Sequence, residues 1–418
     1  MEKFNTLIIG GGAAGLMAAV RSASLGRKVA IAEKNHSVGE KVLISGRGRC
    51  NFTNAEPDIN TFISKYGDNG KFLYSAFNKF SPADTVKFFN KIGVESVEER
   101  GKRIFPASGG SQRVLDALIM QCKKFNVKIM RSTPVKALKV KNSRVQYVIT
   151  DNDEYTADKY IIATGGKSYP KTGSTGDGYD FARQAGHTVT KLFPALVPVR
   201  TKETWVKLAS GCNLRNVRLN VILDNQKIDE RFGEMEFTNF GISGPIVMDL
   251  SSHVPDWMEG NRAVEFSLDL KPTLTHEILI ERIKRDIKKF EGQRRFFGLV
   301  RSLVPAGMVK LILELSDVPH DKPVEYISDE EISELAYLLK DIRMNVNGLW
   351  SFNNAVITRG GVKLDEIDPT TMKSKICENL YFAGEILDLN GPSGGFNLQI
   401  CWSTGYVAGS EADCQSEE

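Results

Sequence analysis

The chain has 418 residues, 41% apolar and 25% charged, a globular balance that excludes wholesale disorder. Its length implies two or three domains. Lysine plus arginine (55) barely exceeds aspartate plus glutamate (51), so the net charge of +4 gives no argument for a nucleic-acid partner, and no apolar run is long enough for a membrane span. The cysteines Cys50, Cys122, Cys212, Cys377, Cys401 and Cys414 form no C-x-x-C and none lies near a histidine at ligand spacing, so no metal site or dithiol centre is expected. Free thiols in a reducing, cytoplasmic setting fit this scatter. Residues 7–20, behind Lys3 and ahead of Ser22-Ala23-Ser24, have the outline of a secretion signal, but Gly10, Gly11, Gly12 and Gly15 suit a turn better than an apolar helix.

Taken in order, residues 4–9 predict a buried strand, 13–25 a helix of small residues and 28–32 a second buried strand. This β-α-β unit implies an α/β fold with a parallel sheet covered on both faces. Ser81 and Pro82 open a helix as N-cap and first residue. Residues 94–105 predict a hairpin around Arg100-Gly101, 111–125 a helix, 127–130 a strand, 135–155 an antiparallel meander and 160–163 another buried strand. Beyond about 190 the texture changes to short strands (195–270) and then helices (275–345). Ile280, Ile283, Ile287 and Phe290 share a helix face, and Ser328 to Glu331 form a capping box ahead of Ile332, Leu335 and Leu339. Glycine-rich α/β texture returns near 349. The expected organisation is a nucleotide-binding domain in two parts, 1–192 and 346–412. It is interrupted by a β-rich insertion (193–273) and a helical part (274–345), and followed by a tail (413–418).

Several segments carry chemistry. Gly10-Gly11-Gly12-Ala13-Ala14-Gly15 fits G-x-G-x-x-G between a strand and a helix, the context in which a pyrophosphate meets a helix N-terminus. Glu33, followed by Lys34, ends the next strand, where an acid accepts from a ribose 2′-OH and repels a 2′-phosphate. Residues 41–54 (KVLISGRGRCNFTN) alternate glycine with arginine and show no apolar period; such a loop, with Lys41, Arg47, Gly48, Arg49, Cys50 and Asn51, can wrap an anion or be a solvated basic loop. Thr164, Gly165 and Gly166 end a strand where backbone passes close to a ligand, and residues 172–178 form a second glycine loop that is either ligand-facing or a plain turn. Near the C-terminus a strand ends in Gly384-Glu385. Asp388 and Gly394-Gly395-Phe396-Asn397-Leu398 follow before a helix, an arrangement able to hold a ribityl chain and stabilise charge on a reduced flavin. Cofactor-type elements at both ends of one sheet suggest a single long ligand, FAD rather than NAD. A second G-x-G-x-x-G is missing, so NADH or NADPH is expected only as a transient reductant, unless the substrate is itself the hydride donor.

Together these segments resemble the BaiN/YhiN-like flavoproteins, also described as aminoacetone-oxidase-type FAD-binding enzymes, over nearly the whole chain. SGRGRCNxTN and AGExLDxxGxxGGFNLQ are the most distinctive pieces. The resemblance implies a glutathione-reductase-like Rossmann FAD-binding domain interrupted by a β-barrel-like part and a small helical part. It implies noncovalent FAD, with Glu33 on the adenosine ribose, Arg47 to Asn51 near the pyrophosphate and ribityl chain, Val135 beside the adenine and Gly395 to Leu398 beside the isoalloxazine. Activities in the family range from oxidation of aminoketones to reduction of steroid double bonds.

The expected function is hydride transfer between flavin N5 and a small organic substrate, with nicotinamide or oxygen as transient partner. Tyr169 is the one candidate proton donor; the catalytic residues are otherwise unassigned. Trp205, Phe237, Phe240 and Trp350 are candidates to line a substrate pocket, with core packing as the default. The histidines are expected to serve packing or the surface. Residues 281–302 hold eight Lys/Arg against three acids, which keeps open an RNA-binding or RNA-modifying flavoprotein as the alternative. A nucleotide-binding regulator without turnover is the third possibility.

Overall fold

In a computed structural model of the chain, residues 2–290, 292 and 294–411 are described; the expected tail at 413–418 lies outside them. The chain divides into two compact units, Met1–Pro194 with Val356–Glu418, and Ala195–Ala355. Among the described residues no helix is long and apolar enough to cross a membrane.

The first unit begins with β1 (Glu2–Ile9), α1 (Ala13–Ser24), β2 (Val29–Ala32) and α2 (Glu40–Ile44). It continues through β3 (Thr53–Asn54), α3 (Pro82–Lys91), β4 (Ser96–Glu99), β5 (Arg103–Pro106), α4 (Gly110–Lys124) and β6 (Lys128–Met130). A meander, β7 (Val135–Lys141), β8 (Arg144–Thr150) and β9 (Glu154–Ile162), and α5 (Asp177–Gln184) complete its first part. β2 is buried along its whole length because helices cover both faces of a parallel sheet. Ser81 and Asp84 form a reciprocal capping box at α3.

The expected loop at 41–54 is more structured than its composition suggests. It comprises α2, a left-handed turn with positive φ at Gly46, Arg47 and Gly48, and β3, which pairs with β5. Buried Val42, Cys50 and Phe52 anchor it to the core, and these contacts lie far away in sequence.

The second unit contains β10 (Val199–Thr201), β11 (Asn213–Leu223), β12 (Gln226–Thr238), β13 (Gly241–Ser243), α6 (Pro245–Ser251) and β14 (Val264–Asp269). Helices α7 (His276–Phe290), α8 (Phe296–Leu303), α9 (Val309–Leu315) and α10 (Asp329–Lys340) follow, then β15 (Ile342–Leu349). The strands close into a barrel in the order β10-β13-β12-β11-β14-β15. Alternate residues such as Leu219, Val221, Phe266, Leu268 and Met344 are buried in it, and the helices share that core through Leu279, Ile283, Leu299 and Leu335. The buried face of α7 centres on Leu279 and Ile283, with Ile280, Ile287 and Phe290 at its margin. Because β15 pairs with both β10 and β14, residues 346–355, expected in the second part of the cofactor domain, belong to the barrel unit instead.

The chain re-enters the first unit with β16 (Ile357–Arg359), β17 (Leu380–Phe382) and α11 (Phe396–Ser410). The main sheet runs β6-β2-β1-β9-β8-β7, with β17 also beside β9. Parallel registers pair Ile9 with Ala32, Ile9 with Ile162, and Phe382 with Ile162. The residues that follow, Gly10, Glu33, Ala163 and Ala383, therefore share the carboxyl edge of the sheet, where α/β folds bind ligands.

His187 serves packing in this unit. Its Nδ1 lies 3.0 Å from Glu366 Oε2, its Nε2 2.6 Å from Ser374 Oγ, and its ring meets the edge of Phe382. Burial lowers its pKa, opposed by Glu366. The unfolded chain, whose histidine titrates at about 6.5, then binds a proton before the folded chain does. The stability this neutral ring contributes is complete above that value and is lost as pH falls through the lower folded value. Urea midpoints should fall steadily as the pH drops below neutrality, and His187→Gln should flatten that slope; an equal slope in the variant would refute the assignment.

Candidate dinucleotide-binding site

The turn after β1 is shaped by close approach. Gly10 has φ +103° and a side chain there would sit 2.6 Å from Ala163 O; a Cβ at Gly15 would sit 1.9 Å from Gly10 O. Gly12 differs: its φ is −82° and a Cβ would meet no protein atom within 4 Å. The first turn of α1 has neither a capping side chain nor an acid, so its N–H groups and the helix dipole are left for a ligand. Thr164 Oγ1, on the neighbouring strand end, is buried without a hydrogen-bond partner.

Glu33 Oε2 accepts the Gly11 N–H at 2.8 Å and Oε1 the Asn35 N–H at 2.9 Å. Burial raises its pKa, with these bonds opposing. Each oxygen keeps lone-pair capacity for a hydroxyl donor. The chain entering β7 passes this acid, with Thr133 N–H bonded to Glu33 O, and half-buried Val135 opens that strand. Lys34 is tied to Asp177 (2.7 Å) and to Thr175, so it braces the second glycine loop.

The three cations of the 41–54 segment part company. Lys41 Nζ lies 2.7 Å from Glu385 Oε2 and 2.6 Å from Ser168 Oγ. Arg49 pairs with Glu99 and stacks on Phe105, 4.2 Å from the ring centre. Arg47, exposed at the left-handed turn beside Gly48, has no protein partner among the described residues. Cys50 is fully buried, its thiol pushed up to about 11, so only its backbone, at φ +59°, is on offer. Asn51 Nδ2 donates to Thr53 O and Ile104 O.

At the other end, Gly384 packs on Ala14, where its Cβ would come within 2.7 Å. Glu385 also accepts from Ser168 Oγ (2.9 Å) and Thr358 N (2.8 Å), so its carboxylate locks three segments together. A Cβ at Gly166 would strike Thr358 Oγ1 at 2.4 Å, and one at Gly165 lies 3.0 Å from Ser174 Oγ. Asp388 accepts from Thr190 Oγ1 and is shifted upward by burial. Gly394 and Gly395 have φ +116° and +98°, and a Cβ at Gly395 would meet Thr53 O at 2.3 Å. Phe396 is buried, Leu398 half-buried, and α11 begins without a side-chain cap. Asn397 is consumed by Gly391 and Pro392. Tyr169, half-buried at φ +50°, follows Ser168 directly, and its carbonyl accepts from Thr172. Ser168 and Thr358 escaped the sequence reading, and Gln399, which accepts from Thr53 Oγ1 at 2.6 Å, stood there only as the end of the GGFNLQ stretch. Their residue types carry no signal apart from the fold.

The model for the HI0933-like protein Rossmann domain matches residues 4–411. The chain belongs to the HI0933-like family. This HI0933-like protein is 32% identical over 410 residues to the 3-dehydro-bile acid delta(4,6)-reductase of Clostridium scindens, spanning 97% of this chain and 98% of the relative. It is also 32% identical over 404 residues to the ribosomal RNA dihydrouridine synthase of Haemophilus influenzae, spanning 96% of each. Among solved structures, the 3-ketosteroid delta1-dehydrogenase of Sterolibacterium denitrificans matches with TM-score 0.54 at 12% identity, covering 98% of this chain and 99% of that one. A flavocytochrome c3 fumarate reductase matches at 0.51 and 16%, covering 98% and 78%. At such identities the likeness is one of fold.

Family and architecture make this HI0933-like protein an FAD-dependent oxidoreductase. The site fits that cofactor: space at Gly12 and an uncapped helix N-terminus beside it. Gly12→Asp separates folding from binding. Aspartate is a good N-cap, so urea unfolding of the apoprotein should be unchanged or up to about 1 kcal/mol more stable. Flavin absorbance per protein should nevertheless collapse, because the carboxylate fills and charges the space. A fully loaded variant would refute the placement.

Proposed function

We propose that this chain, with FAD bound, reduces a carbon–carbon double bond conjugated to a carbonyl group. What carries the reading is the cofactor cradle around Gly12, in a chain matched end to end by two relatives whose names describe that one transformation. The delta(4,6) double bonds of a 3-dehydro steroid and the double bond lost in forming dihydrouridine are all conjugated with a carbonyl. In each, a hydride adds to a carbon that this conjugation makes electrophilic (β, or δ in the extended dienone) and a proton completes the saturated carbon pair.

FAD, when bound, supplies the hydride at flavin N5. The residues of the chain do the rest. Glu33 accepts from the adenosine ribose, and α1 with Arg47 meets the pyrophosphate. Gly10, Ala13, Ala14, Gly15, Thr164, Gly165 and Gly166 shape the walls. The uncapped start of α11 at Gly395 to Leu398 would lie beside the isoalloxazine and would favour negative charge there. The hydroxyl of Tyr169 holds the proton that completes the saturated pair. NADH or NADPH serves as a transient reductant.

A small organic enone is the first reading of the substrate. An RNA substrate is the second, favoured by α7, where Arg285, Lys288 and Lys289 are exposed and have no carboxylate partner among the described residues. The test is anaerobic. NADH or NADPH should bleach the flavin, and either a 3-keto-Δ4 steroid or uridine-containing ribosomal RNA should restore its colour with one equivalent of saturated product. Bleached flavin that neither restores, while oxygen does, would overturn the proposal in favour of an oxidase. Tyr169→Phe should lower turnover about 10²- to 10⁴-fold without loss of flavin.

A further inference from the structure

The second unit carries an open hollow of about 300 Å³ on its barrel, lined among others by Ser210, Glu236, Phe237, Asn239, Phe240 and Trp350. Phe237 is core and forms the floor. Trp205, which the sequence placed with these aromatics, is not among the lining residues.

Two of its walls are aromatic, exposed and held in place. Phe240 is 55% exposed and meets Trp350 edge to face at 5.0 Å and 82°. Phe240 O accepts the Thr201 N–H at 3.1 Å, and the Trp350 backbone N–H donates to Pro198 O at 3.0 Å, so the chain at and before β10 fixes both residues. Gly241, where a Cβ would strike Val199 O at 2.2 Å, lets the turn press against that strand. Exposed apolar area held this rigidly is pre-organised for a ligand.

The third wall is a carboxylate without a cation. Glu236 pairs through its backbone with Asn213 and Ser243. Met235 and Phe237 on either side of it are buried in the barrel, so the half-buried Glu236 side chain stands on the outer face. No side chain among the described residues pairs with it, and Arg215 from the opposite strand lies 3.9 Å from Glu234 instead. A partly desolvated charge of this kind is stabilised by an opposite charge brought to it. The faces of the two rings carry negative potential as well. Two ring faces and an uncompensated carboxylate together select a cation.

The shape narrows its type. In the corner of two perpendicular rings an ammonium and its alkyl stem can touch both faces, whereas a planar guanidinium stacks on only one. A lysine stem is suited to lie along apolar surface with its head at the polar end. The side chains of Ser210 and Asn239 on the rim have no partner among the described residues, and both can donate and accept. Backbone on either side of an inserted side chain would satisfy them; a free amine would leave them to water.

We propose that this hollow is a docking site for a lysine side chain of a partner protein, with the stem in the corner of Phe240 and Trp350 and the ammonium on Glu236. Every residue involved belongs to the second unit, so the inference goes beyond the proposed function and does not rest on it.

The experiment titrates the FAD-loaded protein into blocked pentapeptides of glycine with one central lysine, Nε-acetyl-lysine or arginine, and into pentylamine. Binding is read from broadening of the ligand NMR signals. The lysine peptide should bind saturably, the acetylated one at least tenfold more weakly and the arginine one more weakly than lysine. Phe240→Ser and Trp350→Ala should each weaken lysine binding about two- to thirty-fold, the range of one lost cation–π contact, and Trp350→Phe should keep most of it. Glu236→Gln should weaken it about five-fold. An unchanged urea midpoint shows that a variant folds, and the comparison of lysine with acetyl-lysine needs no variant. Absence of saturable binding, equal binding of the acetylated peptide, or preference for arginine overturns the proposal. So does binding unaltered in both Phe240→Ser and Glu236→Gln. Pentylamine bound as tightly as the lysine peptide overturns the protein partner in favour of a free amine.

Discussion

The close approach of α1 to its surroundings is the constraint on which the cofactor unit depends. A Cβ at Gly15 would lie 1.9 Å from Gly10 O, one at Gly405 would lie 2.5 Å from Ala14 O, and one at Gly409 would lie 2.5 Å from Ala18 O. The helix is thus clamped between the sheet and α11 by backbone contacts that no larger residue permits. That clamp joins the two ends of the chain and aims the N-terminus of α1 along the carboxyl edge of the sheet. The same packing that stabilises the unit sets the direction of the dipole at the phosphate position.

The two strand-end acids illustrate how neighbours divide one residue type between tasks. Glu33 receives only backbone N–H donors, from Gly11 and Asn35, so it orders the turn and keeps room for a hydroxyl. Glu385 lies three residues past the end of β17 and is engaged by Lys41, Ser168 and Thr358. Most of its capacity goes into fastening α2, the loop after β9 and β16 around the site. A ligand hydroxyl there meets an acid whose orientation is already determined, and a partly buried charge that Lys41 compensates.

What was legible in the sequence was local. The Arg100-Gly101 hairpin and the Ser328–Glu331 capping box each draw their energy from residues a few positions apart, so pattern and structure coincide. In residues 41–54 the secondary structure was not legible, because their composition is that of a loop while their contacts are distant. Phe52 O accepts from Trp402, Thr53 donates to Gln399, and Asn54 donates to Gly394. The barrel was legible as strands but not in its closure, which needs Val199 to pair with Leu349 across the whole insertion. Of the candidate site residues, the glycines were readable from backbone demands. Lys34, Arg49 and Asn397 were chosen for their chemistry; what the sequence did not show is that each also holds a loop, through Asp177, Glu99 and Gly391.

This pairing bears on how the site meets a dinucleotide. Two phosphate charges need compensation, yet Lys34, Lys41 and Arg49 are paired with Asp177, Glu385 and Glu99. Arg47 is the one cation of the 41–54 loop left without a protein partner among the described residues. The remaining positive potential comes from backbone: the first turn of α1 and the consecutive N–H groups of the left-handed turn at Gly46–Gly48. Such dipoles are fixed by the fold, cost no side-chain entropy on binding and act only at close range. They favour a cofactor held at a set depth in the sheet edge over a loosely attracted polyanion.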